Sequence, residues 1–117
     1  MCLLLTNIQM SEIATTPKPP YYAVIFTSQR TKGDKGYSDQ AAKMISLASQ
    51  QPGFLGLESA RENVGITVSY WQDLASIKNW KHNTEHSNIR KQGRDMWYLE
   101  FKVRICKIER DYEFKKI

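Results

Sequence analysis

The stretch HNTEH at residues 82–86 carries the side chains best suited to acid–base chemistry near neutral pH in this 117-residue chain. Its pattern, H-x-x-E-H, is that of a class of zinc metalloproteases. A catalytic zinc site needs a third protein ligand, and the chain has only these two histidines. Asn83 and Thr84 favour helix caps over helix interiors, so His82 is expected to precede the helix and point elsewhere. We therefore predict that the chain holds no metal.

Aromatic side chains flank this stretch on both sides. Trp71 ends a predicted strand, Trp80 lies in a predicted helix six residues before His86, and Tyr98 begins the last predicted strand. Large aromatic side chains most often pack in the core. The alternative is that Trp71 and Trp80 form flat apolar walls for an aromatic substrate, with a neutral His86 imidazole taking a proton from a bound phenol or enol.

Two polar residues near His86 complete the candidate site, and each also has a plainer role. Asn83 either caps a helix or contacts a ligand. Arg90 either lies on a solvated helix face or reaches the rim of the pocket, as Tyr98 does. We therefore predict His86 as the catalytic residue, and the following as substrate-binding residues: Trp71, Trp80, Asn83, Arg90 and Tyr98.

The segments that must position these residues alternate between strand and helix patterns. Runs rich in β-branched and aromatic residues predict strands at 21–28, 54–61, 65–71 and 97–110. Apolar residues at helical spacing predict a helix over 38–51, with Ser38 as its N-cap and an inward stripe made of Ala41, Met44, Ile45 and Ala48. A second helix, capped by Asp73, passes through Leu74, Ile77 and Trp80, and a short helical piece covers 84–92.

The order β-α-β-β-α-β predicts an α+β, ferredoxin-like fold, with an antiparallel sheet and both helices on one face. The last strand alternates like a half-buried strand, with Leu99, Phe101, Val103 and Ile105 on one face. The other face of the sheet needs a cover. Two copies packed sheet to sheet provide one by twofold symmetry, so we predict a homodimer, without deciding which face meets the helices.

Composition indicates how the chain is divided into domains and which classes of partner it is expected to bind. We predict that residues 1–20 form an N-terminal extension with a proline-rich linker, and that residues 21–117 form one domain. The net charge of +5 comes from scattered residues with no nucleic-acid motif, and the apolar start is too short to span a membrane. Cys2 and Cys106 read as free thiols in a reducing compartment. We expect a cytoplasmic protein that binds neither nucleic acid nor membrane.

Several short motifs resemble one family in order and spacing. They are QPGFLG at 51–56, SYW at 69–71, IKNW at 77–80 and EH at 85–86. The chain is similar in these to the antibiotic biosynthesis monooxygenase (ABM) domain family of dimeric α+β barrels. The resemblance implies a small-molecule monooxygenase that oxidises a phenolic or other aromatic compound in an apolar pocket, or else a non-catalytic ligand-binding or stress-related domain of the same fold.

The haem-degrading branch of that superfamily fits this sequence less well. It carries an Asn on the first strand and a His beyond the helix tryptophan, where this chain has Thr27 or Ser28 and Arg90. Without an imidazole at the second position, haem iron has no proximal ligand. No dinucleotide-binding or phosphate-binding glycine motif occurs either. The expected chemistry is therefore that of the cofactor-free branch.

Overall fold

The computed structural model describes residues 12–83, 88 and 91–117. Within them the elements come in the predicted order, and a π-helical turn at Gly93–Trp97 leads into the last strand. The strands are β1 (Tyr21–Arg30), β2 (Phe54–Arg61), β3 (Gly65–Trp71) and β4 (Tyr98–Ile108). The helices are α1 (Tyr37–Ser49) and α2 (Leu74–Lys81). The helical piece predicted over 84–92 falls mostly outside the described residues.

The four strands form one antiparallel sheet in the order β2-β3-β1-β4. This order places the first strand between the third and the fourth, as a ferredoxin-like fold requires. The predicted fold class is therefore confirmed.

Both helices contact the same face of the sheet, which we call the helix-side face. The Trp71 ring of β3 stacks on Trp80 of α2 with 6.2 Å between centroids. Tyr98 of β4 meets Tyr37 of α1 edge to face at 5.9 Å. Strand register places further residues on this face: Tyr22, Val24, Phe26, Ser28, Phe101, Val103 and Ile105. The predicted Phe101 and Val103 stripe therefore faces the helices, and the opposite, helix-free face is the one left for a partner.

The helices differ in detail from the prediction. The N-cap of α1 is Gly36, and Ser38 instead donates its backbone N–H to the Asp34 carboxylate at 3.2 Å. Ile45 is exposed, whereas Leu47, which lies outside the predicted stripe, is half-buried. The cap of α2 is as predicted, since the Asp73 side chain accepts the Ser76 N–H at 2.7 Å.

Gly53 fixes the turn between α1 and β2. Its φ of +85° lies in the left-handed region, and an added Cβ would overlap the Ser76 side chain of α2. Its carbonyl accepts the Gln72 N–H at 2.7 Å. The PG pair that predicts the end of α1 therefore also sets how closely β2 approaches the start of α2.

A β-bulge at the start of β4 removes Leu99 from the predicted alternation of apolar residues on this strand. Gln29 pairs with Glu100 and Arg30 with Tyr98, so that Leu99 has no register partner on β1. Leu99 is 71% exposed. Tyr98 instead joins Phe101 on the helix-side face, because the extra residue shifts the pleat by one position.

The helix-free face carries a small hydrogen-bonded network in which residues 12–20 take part. The Ala14 N–H donates to one carboxylate oxygen of Glu58 at 2.9 Å, and the Tyr70 hydroxyl donates to the other at 2.7 Å. The Tyr21 hydroxyl accepts from Thr16 at 3.0 Å and donates to Asp111 at 2.5 Å. Residues before β1 and after β4 are therefore hydrogen-bonded to side chains of this face. No helix among the described residues is long and apolar enough to cross a membrane.

Candidate functional site

Trp71 lies at the centre of an aromatic group at one end of the helix-side face. Its side chain is fully buried, its ring meets Phe54 edge to face at 5.3 Å, and it stacks on Trp80. Its indole N–H donates to the Ser69 hydroxyl at 2.9 Å. The ring of Trp71 therefore belongs to the core, and the half-buried Trp80 is the indole of this pair that a ligand can reach.

The helix α2 ends at Lys81, one residue after Trp80. His82 is the exposed C-cap of the helix, and the half-buried Asn83 donates its backbone N–H to the Trp80 carbonyl at 3.1 Å. The structure thus brings Trp80 and Asn83 together. His86 and Arg90 lie outside the described residues, so their predicted roles stay predictions.

The prediction that the chain holds no metal concerns the same HNTEH stretch. No group of three histidine, cysteine, aspartate or glutamate side chains approaches a metal-binding arrangement within the described part of the chain. The HNTEH stretch lies partly outside it, so the absence of zinc is still a prediction.

Tyr98 belongs to a second aromatic group at the other end of the face. Its ring meets those of Phe26 at 5.4 Å, Phe101 at 5.8 Å and Tyr37 at 5.9 Å. Burial and the contact with Tyr37 raise the pKa of Tyr98 above its ordinary value, so the phenol is protonated at neutral pH.

The structure does not bring Tyr98 to the rim around Trp71 and Trp80. Trp71 pairs with Tyr22 and Tyr98 with Arg30, at opposite ends of β1. These rows are eight residue steps apart along β1, which corresponds to ~26 Å. The predicted site residues therefore divide between two places on one face.

An apolar strip connects the two aromatic groups along β1 and β4. We call it the helix-side strip, and its members are Val24, Phe26, Phe101, Val103 and Ile105. Phe26 and Phe101 stack at 5.2 Å, while Val103 and Ile105 are 47% and 51% exposed. A row of partly exposed apolar side chains between aromatic rings is suited to bind a flat hydrophobic molecule.

Arg61, which is not among the predicted site residues, lies at the Tyr98 end of the strip. Its guanidinium donates to the carbonyl of Ser28 at 3.4 Å and also to the Ser28 hydroxyl. Ser28 is almost fully buried. The only indication in the sequence is Gly65, which faces Arg61 across the predicted hairpin and leaves room for a long side chain.

A separate surface cleft lies between the N-terminal linker and the C-terminal tail. It has a volume of about 410 Å³, and its lining includes Pro17, Lys18, Glu109, Arg110 and Asp111. This lining is mostly charged and contains no aromatic ring, so it is poorly suited to the phenolic ligands that the helix-side strip fits.

Comparison with known proteins now decides the family. The model of the antibiotic biosynthesis monooxygenase family matches residues 20–92. The uncharacterized protein YqjZ of Bacillus subtilis is 48% identical over 109 residues, which cover 92% of this chain and 96% of YqjZ. The chain belongs to the ABM family.

Solved structures show the same ABM fold at low sequence identity. PA3566 from Pseudomonas aeruginosa superposes with a TM-score of 0.65 at 12% identity, covering 82% of this chain and 99% of PA3566. SnoaB from Streptomyces nogalater, a cofactor-independent oxygenase, superposes with a TM-score of 0.65 at 11% identity, covering 84% and 100%. At this identity the likeness establishes the fold alone.

Membership of the ABM family agrees with the structural roles of its motif residues here. Gly53 of the QPGF motif sets the approach of β2 to α2, and Trp71 of the SYW motif fills the core beneath Trp80. These residues hold the sheet against α2. The residues that remain open for a ligand lie along the helix-side strip.

Proposed function

We propose that this chain is a monooxygenase of the ABM type that oxidises a phenolic or related aromatic compound without a cofactor. The observation that carries the proposal is the helix-side strip. Its apolar side chains are partly exposed on the sheet face that also carries the buried ring of Trp71. The chain belongs to a family named for monooxygenase activity. SnoaB, which shares the fold, is a cofactor-independent oxygenase.

The proposed reaction needs little from the protein besides a base and an apolar environment. Removal of the phenolic proton makes the ring electron-rich, and a ring carbon then forms a C–O bond with molecular oxygen. Loss of water from the resulting peroxide gives a quinone, so one oxygen atom stays in the product and the other leaves as water. Apolar walls support this step by excluding bulk water from the anion.

His86 is the proposed base. Imidazole is the side chain whose ordinary pKa is closest to neutral pH, and general bases contribute roughly 10²–10⁴-fold to rate. Trp80 and Asn83 bring the chain to the helix-side face three residues before His86. This position in the chain supports the assignment.

The test is oxygen uptake with a panel of phenols and hydroquinones, together with binding measured by calorimetry. We expect uptake with at least one compound, and a loss of about 10²-fold or more in His86→Ala with little change in binding. His82→Ala is the matched control, since His82 is an exposed C-cap. Equal rates in both variants would remove His86 from the mechanism, and no binding at millimolar concentration would remove the strip as a site.

A second function, binding without catalysis, is favoured by one observation. Two ionisable side chains at one end of the strip, Tyr98 and Arg61, are poor bases: the pKa of Tyr98 is raised, and a guanidinium stays protonated in proteins. The described part of the site thus supplies binding groups. Tight binding of phenols with no oxygen uptake in the intact protein would identify this function.

We also propose that the chain is a homodimer that packs through the helix-free face. On this face Ile66 is 46% exposed, and Ile25 and Val68 are half-buried. A second copy covers them by twofold symmetry, and a stable interface of this kind buries at least ~1,200 Å². A monomeric mass by light scattering at micromolar concentration would refute this assembly.

A further inference from the structure

A cation lies at the Tyr98 end of the helix-side strip, and the proposed oxidation does not use it. Arg61 ends β2, an outer strand of the sheet, yet its guanidinium reaches Ser28 on β1. One guanidinium nitrogen donates to the Ser28 carbonyl at 3.4 Å, and the other donates to the Ser28 hydroxyl. The buried Ser28 therefore holds the positive charge on the helix-side face.

Gly65 is the residue that lets Arg61 lie there. It is the register partner of both Arg61 and Ser28, and so lies between them on β3. A Cβ at Gly65 would overlap the Arg61 guanidinium. Because the glycine has no side chain, Arg61 crosses β3 and points over the sheet, where an edge arginine would otherwise extend into solvent.

Arg61 still has donors for a ligand, whereas the neighbouring Arg30 is committed to the fold. Arg30 donates to the carbonyls of Gly33 and Asp34 at 3.2 and 3.3 Å, and its guanidinium lies 3.7 Å from the centre of the Tyr37 ring. Arg61 is exposed, and its hydrogen bonds within the described residues go to Ser28. A guanidinium has five N–H groups, so several remain.

We propose that Arg61 anchors the carboxylate of an aromatic acid whose ring lies on Phe26 and Phe101. Those two rings stack 5.2 Å apart in the rows beside Ser28, and arginine binds carboxylates in a planar, two-point geometry. The proposal rests on the helix-side strip as the substrate site of the proposed function. It narrows the substrate class to phenolic compounds that also carry an anionic group.

Calorimetric titration of the full-length protein with matched probes tests this anchor. 4-Hydroxybenzoate and 4-hydroxybenzamide differ in charge and hardly in shape, and acetate carries the charge without the ring. We expect the benzoate to bind about tenfold more tightly than the amide at low salt. The preference should shrink as salt is added, because Arg61 is exposed, and acetate should show no binding at millimolar concentration.

Three variants separate the anchor from a general effect of charge. Arg61→Gln should abolish the preference for the acid. Gly65→Ala keeps the charge but should abolish the preference too, because the new methyl group displaces the guanidinium from Ser28. Arg104→Gln is the control, since Arg104 pairs with Ile25 on the helix-free face and should leave the preference unchanged. Circular dichroism checks the fold, and if Arg61→Gln does not fold, Gly65→Ala decides.

Three outcomes would overturn the anchor: equal binding of both phenols, a preference unchanged in Arg61→Gln and Gly65→Ala, or no binding of either phenol. Oxygen uptake in the same samples separates this result from the proposed function. A preference for the acid, with no oxygen uptake in these samples or with any compound of the wider phenol panel, supports the anchor and removes the oxidation. Uptake without that preference keeps the oxidation and removes the anchor.

Discussion

Replacement of Trp71 by phenylalanine tests whether this indole is structural. The ring is fully buried between Phe54 and Trp80, and its N–H donates to Ser69 at 2.9 Å. Full truncation of a buried tryptophan costs about 3–5 kcal/mol. Phenylalanine keeps part of the packing but loses the hydrogen bond, worth about 1 kcal/mol, so we expect a loss of about 2 kcal/mol in the free energy of unfolding.

The measurement is urea unfolding at a fixed protein concentration, because assembly would otherwise shift the apparent stability. A loss of 2 kcal/mol lowers the melting temperature by about 8 °C for a domain of this size. Trp80→Phe is the control, and should cost about 1 kcal/mol or less because that ring is only half-buried. If Trp71→Phe costs no more than the control and weakens phenol binding instead, Trp71 is a substrate wall and the core assignment fails.

Three further predictions follow from contacts elsewhere in the fold. Gly53→Ala should cost about 1–3 kcal/mol in urea unfolding, more than Gly33→Ala, because both glycines have positive φ but only Gly53 meets Ser76. Burial raises the pKa of Tyr98, so its stabilising effect is complete below pH ~10 and is lost as pH rises through the folded-state pKa. Alkaline unfolding should therefore be less steep in Tyr98→Phe and unchanged in Tyr112→Phe, whose ring is fully exposed; equal slopes would contradict this. Ile66→Glu should weaken the proposed dimer in sedimentation, whereas Ile45→Glu, similarly exposed on the outer side of α1, should not; equal masses would exclude the helix-free interface.

Local sequence patterns were sufficient for the elements and the fold class. Residues 54–61 and 65–71 are strands with the predicted bounds, because alternation and turn residues act over a few positions. The Asp73 cap could be predicted equally well, because it is a hydrogen bond between residues three positions apart and does not depend on tertiary contacts. Strand order then followed from the element order, for which few topologies are available.

The candidate site could be predicted less well because it depends on register across the sheet. No residue pattern near Leu99 predicts the bulge, and that one extra residue moves Tyr98 onto the helix-side face. The same holds for Arg61, whose charge would lie at the sheet edge if residue 65 had a side chain. Tyr98 was also expected near Trp80 because the two residues are close in sequence, but they lie near opposite ends of β1.

The separation of these two ends limits which substrates satisfy both proposals. The Ser28 and Tyr22 rows are six residue steps apart along β1, which is ~20 Å of strand. A single-ring acid held by Arg61 covers the Phe26 row but does not extend to Trp80. If His86 acts beside Trp80, the substrate must therefore have several rings, and short acids should bind to Arg61 without being oxidised. If His86→Ala abolishes oxidation of a single-ring acid, the base acts within reach of the Phe26 row, and the proposal that it acts beside Trp80 fails.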